Sequence, residues 1–437
     1  MESMFEALIK WLRTQRTDVT YWLAYSGGLD SHVLLHLMAK LRVVVPLNLR
    51  AVYINHGLSP NAAAWAKHAA SVCQQLQIEF QQQSINFHVT PGKSREDLAR
   101  DRRYQVFAEL LAPNDFLLTA HHQNDQAETL LLQLLRGAGP KGLSAMPRIK
   151  PFASGFHARP LLNFTRNELA DYATQHQLKW IEDESNTDTQ FTRNFLRCNV
   201  LPVLQQRWAN VTNVLARAAD NCAEAEQLLA SVALEDLAAI QDSEPHIISI
   251  QKLQLLNPLR QRHVLRTWFS QLNFPLPSVV KLQQIQQTML FARHDKLPHV
   301  NWGNVEVRRY RDQLHALRCL LPHDPTQVIT WNLAELLTVK NFGELQAVRV
   351  NGAGLRADID AVTVRFRQGG ERVCLPGRKH HHELKKLFQE WGVLPWQRDR
   401  VPLIYVQEKL AAVVGFFIAD EFVAGKNEAG WIITQRP

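Results

Sequence analysis

The first 150 residues predict an α/β fold built on a parallel, doubly wound sheet. Three observations carry this. Short apolar runs alternate with longer helical patterns, in the order strand, helix, strand, helix. Three of the four apolar runs end in polar clusters, as strands of an open sheet do where ligands bind beyond their carboxyl ends. The chain then changes character, reading as helix from about residue 203 and as short strands from about 300. A helical domain and a small α+β C-terminal domain are therefore expected after the sheet. A length of 437 residues supports that count, since single cores stop growing near about 250–300 residues. The expected division is 1–215, 216–340 and 341–437.

The strand candidates are 20–25, 49–55, 78–82 and 115–120. The first is typical, because Val19-Thr20-Tyr21-Trp22-Leu23-Ala24-Tyr25 is short, apolar and rich in strand formers. Helices are expected at 31–41, 60–77, 94–112 and 123–135. Thr165-Arg166-Asn167-Glu168 matches a capping box and should open another. Pro202 marks a break, after which Leu204, Trp208, Val211, Leu215 and Ala218 recur at helical spacing and predict one long helix over 203–240. Helical character continues to about 290, punctuated by Asn257-Pro258 and Pro275-Leu276-Pro277. Val305-Glu306-Val307-Arg308-Arg309-Tyr310 and Val362-Thr363-Val364-Arg365-Phe366-Arg367 then read as strands, with one helix near 381–391.

Composition narrows the class. An apolar fraction of 46% is ample for packed cores, yet no uncharged apolar run is long enough to span a bilayer. Met1-Glu2-Ser3-Met4-Phe5-Glu6 lacks the form of a signal peptide. The five cysteines are scattered and form no C-x-x-C pair, so neither a zinc knuckle nor a disulfide framework is indicated. A reduced, cytoplasmic protein is expected, with no membrane partner. The net charge of +8 suits an anionic partner such as RNA.

Ser26-Gly27-Gly28-Leu29-Asp30-Ser31 follows the first strand and opens a helix. Gly27 and Gly28 can adopt positive φ and let backbone N–H groups approach a ligand, and the helix N-terminus favours phosphate. Ser26 and Ser31 add hydroxyl donors. Asp30 would repel a phosphate unless a cation lay between them, which points to Mg²⁺. The string lacks a Walker lysine and resembles the pyrophosphate loop of the N-type ATP pyrophosphatases, the adenine nucleotide alpha hydrolase-like fold. That resemblance implies cleavage of ATP between its α and β phosphates. Asn55-His56-Gly57 and Ala120-His121-His122 fall at the ends of two further strands and complete a composite site.

Arg100 shares a helix face with Arg103 and Tyr104; this fits either a solvated face or a clamp on phosphates. Asp125 and Glu128 lie three apart on one face, so both carboxylates can meet one cation, either a metal or an ammonium group. His121 and His122, adjacent in a strand, point to opposite faces, which disfavours a shared zinc site. Glu182-Asp183-Glu184-Ser185-Asn186, followed by Arg193 and Arg197, suits either a structural loop or one that closes over a nucleotide.

In their order, the Ser-Gly-Gly-Leu-Asp-Ser loop, Ala99-Arg100-x-x-Arg103-Tyr104, His121-His122-x-x-Asp125-x-x-Glu128-Thr129, Arg136-Gly137-x-Gly139, Arg159-Pro160-Leu161, Asp183-x-Ser185-Asn186 and Arg193-Asn194-x-x-Arg197 resemble the bacterial tRNA(Ile)-lysidine synthetase family. Phe366-Arg367-Gln368-Gly369-Gly370 and Leu384-Lys385-Lys386-Leu387-Phe388-Gln389-Glu390 resemble its long form. The resemblance implies adenylation of the wobble cytidine of a tRNA(Ile) with a CAU anticodon, then attack by free L-lysine. It implies ATP on the Ser26–Ser31 loop, Asn55, His56 and Arg100, and Mg²⁺ on Asp30. It further implies lysine on Asp125 and Glu128, and tRNA or the adenylate on Arg193 and Arg197. The catalytic set is then Asp30, Arg100, Asp125 and Glu128, and the family suggests a homodimer.

Residues 361–400 carry nine Lys or Arg against four Asp or Glu, which suits RNA. In the long form this block grips the acceptor stem, here through Arg367, Arg378, Lys385 and Lys386. Lys379-His380-His381-His382 adds donors. A tRNA thiolation enzyme of the same chemistry is the alternative, but the missing C-x-x-C argues against its cluster-bearing kind. A synthetase acting on a small metabolite would leave the basic block without a role.

Overall fold

The computed structural model describes residues 3–55, 57, 61–85, 95–182, 188–293, 296–378 and 380–436, with the backbone alone at 95–97. His56, Ser94, Asp183, Glu184, Ser185, Asn186 and Lys379, and the side chains of Glu96 and Asp97, lie outside the described residues. The chain divides into two compact units, Met1–Ala230 and Ser231–Pro437.

In the first unit the strands are β1 (Thr20–Ala24), β2 (Asn48–Asn55), β3 (Glu79–Ser84), β4 (Phe116–Leu118), β5 (Ile149–Phe152) and β6 (Gly155–Ala158). They form one sheet in the order β3-β2-β1-β4-β6-β5. All pairings are parallel except β5 with β6. The helices are α1 (Met4–Leu12), α2 (Leu29–Leu41), α3 (Ala62–Gln75), α4 (Arg95–Leu110), α5 (Gln123–Leu135), the single turn α6 (Pro140–Leu143) and α7 (Arg166–Gln175). The sheet is doubly wound as expected. The chain leaves β1 in one direction to β2 and β3, and returns to place β4 on the other side of β1. That reversal opens a crevice at the carboxyl ends of β1 and β4.

Both faces of β1 are buried, which is why its sequence does not alternate. Tyr21 and Leu23 pack into a core with α1, α2, α3 and α7, through Leu8, Leu34, Ala69 and Leu169 among others. Trp22 faces the opposite layer with Val52, Leu117 and Phe107 of α4. Helix α2 alone buries Val33, Leu34, Leu35, Leu37, Met38 and Leu41. Each such side chain stabilises by roughly 1.5–3 kcal/mol relative to exposure, which anchors the loop preceding it. α1 was not anticipated, although Ser3 and Glu6 form a full capping box. α7 begins at the expected box, Thr165 with Glu168.

The long helix over 203–240 is broken. Helical backbone runs from Thr192 to Arg207 as α8 (Thr192–Phe195), a π-helical turn Leu196–Val200 and α9 (Leu201–Arg207). Pro202 sits in the first turn of α9, and the wide turn precedes it, where a proline ring would crowd the carbonyl four residues back. The chain leaves helical geometry at Trp208, with φ −128° and ψ 88°. Helix α10 (Val211–Ile240) then carries both the expected 215/216 boundary and the observed division at Ala230/Ser231.

The second unit holds two cores. One gathers Leu237, Ile248, Trp268, Phe269 and Leu314; the other gathers Trp331, Val364, Leu387, Phe388 and Leu403. The first contains helices and a four-stranded sheet in which Ile247–Ser249 pairs with Gln313–His315, so this part is less purely helical than expected. The helix expected over 381–391 is shorter, Leu384–Glu390, because His381–Glu383 pairs as a strand with Arg372–Cys374. Among the described residues no helix is long and apolar enough to cross a membrane.

Candidate active site

The β1–α2 loop is held by its own hydroxyls. Ser31 Oγ donates to Gly28 O at 3.0 Å and lies 3.0 Å from Ser26 Oγ, while Gly28 N donates to Ser26 Oγ at 3.4 Å. Only Gly27 takes the left-handed region, with φ +83°; Gly28 is the extended N-cap of α2, at φ −75°. A Cβ at Gly27 would also stand 2.8 Å from Ile181 Cδ1, and Ile181 N donates to Gly27 O at 2.9 Å. Ile181 thus roofs the loop, a role with no signature in the sequence. No side chain caps α2, so the N–H groups of its first turn, from Leu29 to Ser31, remain available to an anion. Leu29 itself is partly buried against the core.

Asp30 stands on that first turn. Its Oδ1 is buried without a hydrogen-bond partner, and its Oδ2 lies 3.5 Å from His122 Nε2. The same nitrogen lies 3.5 Å from Asp125 Oδ2. His122 therefore links the loop to the acid pair across the β1/β4 crevice. It is the buried N-cap of α5, not a strand residue: the Asp125 carboxylate accepts from His122 N at 3.0 Å, closing a capping box. Burial disfavours the imidazolium, but Asp125 and Asp30 outweigh it and raise His122 above its ordinary 6.5. The strand-end position of the histidine pair places it in the composite site, and the H-x-x-D spacing at a helix start is the further sequence sign of the capping role of His122. Among the described residues no group of three or more His, Cys, Asp or Glu is arranged for a metal.

Asp125 and Glu128 do share one face of α5, and both are buried. They grip a cationic nitrogen supplied by the chain. Arg197 Nε donates to Glu128 Oε1 at 2.7 Å, and Arg197 Nη2 donates to Glu128 Oε2 and Asp125 Oδ1 at 3.0 Å. Arg193 Nε lies 3.4 Å from Glu128 Oε2, and its Nη2 donates to Thr129 Oγ1 at 2.8 Å. The structure thus places Arg193 and Arg197 on the acid pair itself. Burial raises Glu128 despite Arg197. Burial pushes Asp125 the same way, but His122, His121 and Arg197 together outweigh it and hold Asp125 below its ordinary value.

Asn55 ends β2, where its side chain accepts from Gly57 N at 2.9 Å and holds the turn. Arg100 is exposed on α4, its guanidinium 5.5 Å from the Tyr104 ring centre. In the second unit Arg367 pairs with Asp399 at 2.8 Å and Glu371 at 3.9 Å, and Arg378 with Glu390 at 3.7 Å. Lys385 and Lys386 are exposed on one short helix, and Lys386 lies 4.0 Å from Glu383.

Residues 1–204 match the PP-loop domain family, 248–315 the TilS substrate binding domain and 362–434 the TilS substrate C-terminal domain. The tRNA(Ile)-lysidine synthase of Coxiella burnetii is 45% identical over 436 residues, covering 99% of this chain and 96% of that protein. That of Methylococcus capsulatus is 40% identical over 423 residues, with 96% of each covered. That of Yersinia pseudotuberculosis is 41% identical over 431 residues, with 93% and 92% covered. Identity of this extent, sustained from the glycine loop to the basic C-terminal block, means that the chain belongs to the tRNA(Ile)-lysidine synthase family.

Proposed function

We propose that this chain joins free L-lysine to carbon 2 of the wobble cytidine of a tRNA(Ile) with a CAU anticodon, at the expense of ATP. The cytidine O2 attacks the α-phosphorus of ATP and pyrophosphate leaves. The ε-amine of lysine then attacks carbon 2, and AMP departs with the former O2. The changed base reads AUA in place of AUG. One observation carries this reading: His122 joins Asp30 of the phosphate loop to Asp125 of a cation-gripping acid pair, which makes the two half-sites one.

The N-terminus of α2 and Gly27 would bind the leaving pyrophosphate, and Arg100 would offset charge developing on the phosphates. The buried, unpartnered Oδ1 of Asp30 fits Mg²⁺, which favours one or two carboxylates plus substrate phosphates and would supply charge neutralisation there. Asp125 and Glu128 would take the lysine ammonium in the manner in which they hold Arg197. Their environments push them apart, leaving Asp125 ionised and Glu128 the better proton acceptor for an amine that must be neutral to attack. Arg193 and Arg197 would then turn to the tRNA or the adenylate. In the second unit Lys385, Lys386, Arg367 and Arg378 would contact tRNA phosphates. The three-part division at about 215 and 340, a homodimer and a cytoplasmic location complete the proposal.

The deciding experiment incubates the protein with ATP, Mg²⁺, lysine and tRNA(Ile), then measures the mass of the wobble nucleoside. A gain equal to lysine less water supports the reading. An unmodified cytidine, or one carrying sulfur, refutes it.

A further inference from the structure

The Arg159-Pro160-Leu161 motif has no part in the chemistry above, yet Arg159 is only 5% exposed. Among the described residues no carboxylate lies within 4.0 Å of it. It follows β6 directly, at the carboxyl edge that also carries the β1 loop and the residues after β4. Its Nη1 donates to Pro147 O at 2.7 Å, and its Nη2 lies 3.3 Å from His157 Nδ1. His157, fully buried, places Nε2 2.8 Å from Thr119 Oγ1, which in turn lies 2.7 Å from His121 Nδ1.

A guanidinium can only donate, and this sets the direction of the whole chain. His157 Nδ1 must accept from Arg159, so its proton sits on Nε2 and is donated to Thr119 Oγ1. The Thr119 hydroxyl is then free to donate to His121 Nδ1. His121 is left with its proton on Nε2. Both rings are neutral, because burial above all, with Arg159 nearby, pushes His157 down to about 2 and His121 to about 4.

We propose that Arg159 is a positioning residue which, through His157 and Thr119, locks His121 as a neutral Nε2–H donor for an anionic phosphoryl oxygen of the substrate. The ligand class follows from the surroundings. His121 follows β4, the strand beside the one that bears the phosphate loop. Burial first, and then Arg159, Arg193 and Arg100, disfavour its imidazolium, against Asp125, which favours it. Three arginines against that one carboxylate leave the place net positive, which suits an anion. The neutral ring meets that anion as a hydrogen-bond donor without carrying a buried charge of its own.

This inference rests on the functional reading above, and its test separates the two. Long-range ¹⁵N–¹H spectra of the full chain, labelled in histidine, report each ring's tautomer without substrate. The expected wild-type result is a single Nε2–H form for both His157 and His121. Thr119→Val should leave His157 in that form and give His121 a mixture; Arg159→Met should mix both. Pyrophosphate release should fall roughly ten-fold in either variant, less than the hundred-fold or so that losing a charge-stabilising donor outright costs. The double variant should be no slower than Thr119→Val, because both cut one wire. A proton on Nδ1 of His121 in the wild type overturns the inference, as do unchanged tautomers in both variants or strictly additive losses. The wild-type spectrum and Thr119→Val keep the test decisive if Arg159→Met fails to fold. A wild type without pyrophosphate release would sink the functional reading and leave the relay standing.

Discussion

Replacing Glu128 by glutamine isolates the acid pair's part in the reaction with almost no change of shape. The carboxylate is fully buried and accepts from Arg197 through both oxygens, at 2.7 and 3.0 Å. Glutamine keeps one acceptor but turns an amide donor toward Arg197 Nη2. One charge-assisted hydrogen bond is lost, about 1.5–3 kcal/mol, and Asp125 becomes the one carboxylate still paired with Arg197, which keeps the amide oxygen as a neutral acceptor. If the lysine ammonium uses the same two oxygens, its binding loses a similar amount. That corresponds to a rise in KM for lysine of roughly ten- to a hundred-fold. On the proposed reading adenylation uses the loop and Arg100 instead, so it should fall far less. The assay runs the half-reactions apart: pyrophosphate release with tRNA and ATP but no lysine, and incorporation of radiolabelled lysine at several lysine concentrations. Thermal melting runs alongside, with an expected drop in Tm of about 3–10 °C. A KM for lysine within two-fold of wild type, or equal losses in both half-reactions, would refute lysine recognition by this pair.

Three further outcomes follow from the site. Asp30→Asn should cut ATP-dependent pyrophosphate release by about a hundred-fold or more while tRNA affinity stays within a few-fold; undiminished release would exclude a Mg²⁺ role for Asp30. Gly27→Ala should cost at least about 1–2 kcal/mol, because φ is +83° and the new methyl meets Ile181 Cδ1. Ile181→Ala added to it should recover the steric part alone, and an unaltered melting temperature for Gly27→Ala would contradict the geometry. His122 is raised above 6.5 in the fold, so its contribution is fully present below pH 6.5 and is lost as the pH rises through the raised value. The Tm gap between wild type and His122→Asn should therefore narrow as the pH rises above 6.5; a gap that widens with rising pH would contradict the Asp30–His122–Asp125 link.

The elements legible in the sequence were those with a strong local pattern. Helix α5 matches its expected bounds, 123–135, and β1 ends one residue before its expected limit. The departures have local or long-range causes. Trp208 continues the helical spacing but not the helical backbone. Ile247–Ser249 is too short to show a period, and its partner strand lies more than sixty residues on. His381–Glu383 reads as the start of a helix in the sequence because its pairing with Arg372–Cys374 leaves no trace in propensity. α1 is the converse: its capping box, Ser3 with Glu6, is a local signal legible in the sequence.

What the sequence by itself determined about this protein is the local chemistry of each strand end. A glycine needed at positive φ, an aspartate on the first turn of a helix and two acids three apart are consequences of neighbours a few residues away. The tertiary structure alone decided which of these meet. His122 bridges Asp30 and Asp125 because β4 pairs with β1, and residue spacing says nothing of strand order. Arg197 reaches Glu128 from 69 residues on, Ile181 roofs Gly27, and Arg159 sets the direction of a relay ending at His121. Each of these depends on closing a long loop against chain entropy, which only the buried core of the whole sheet offsets.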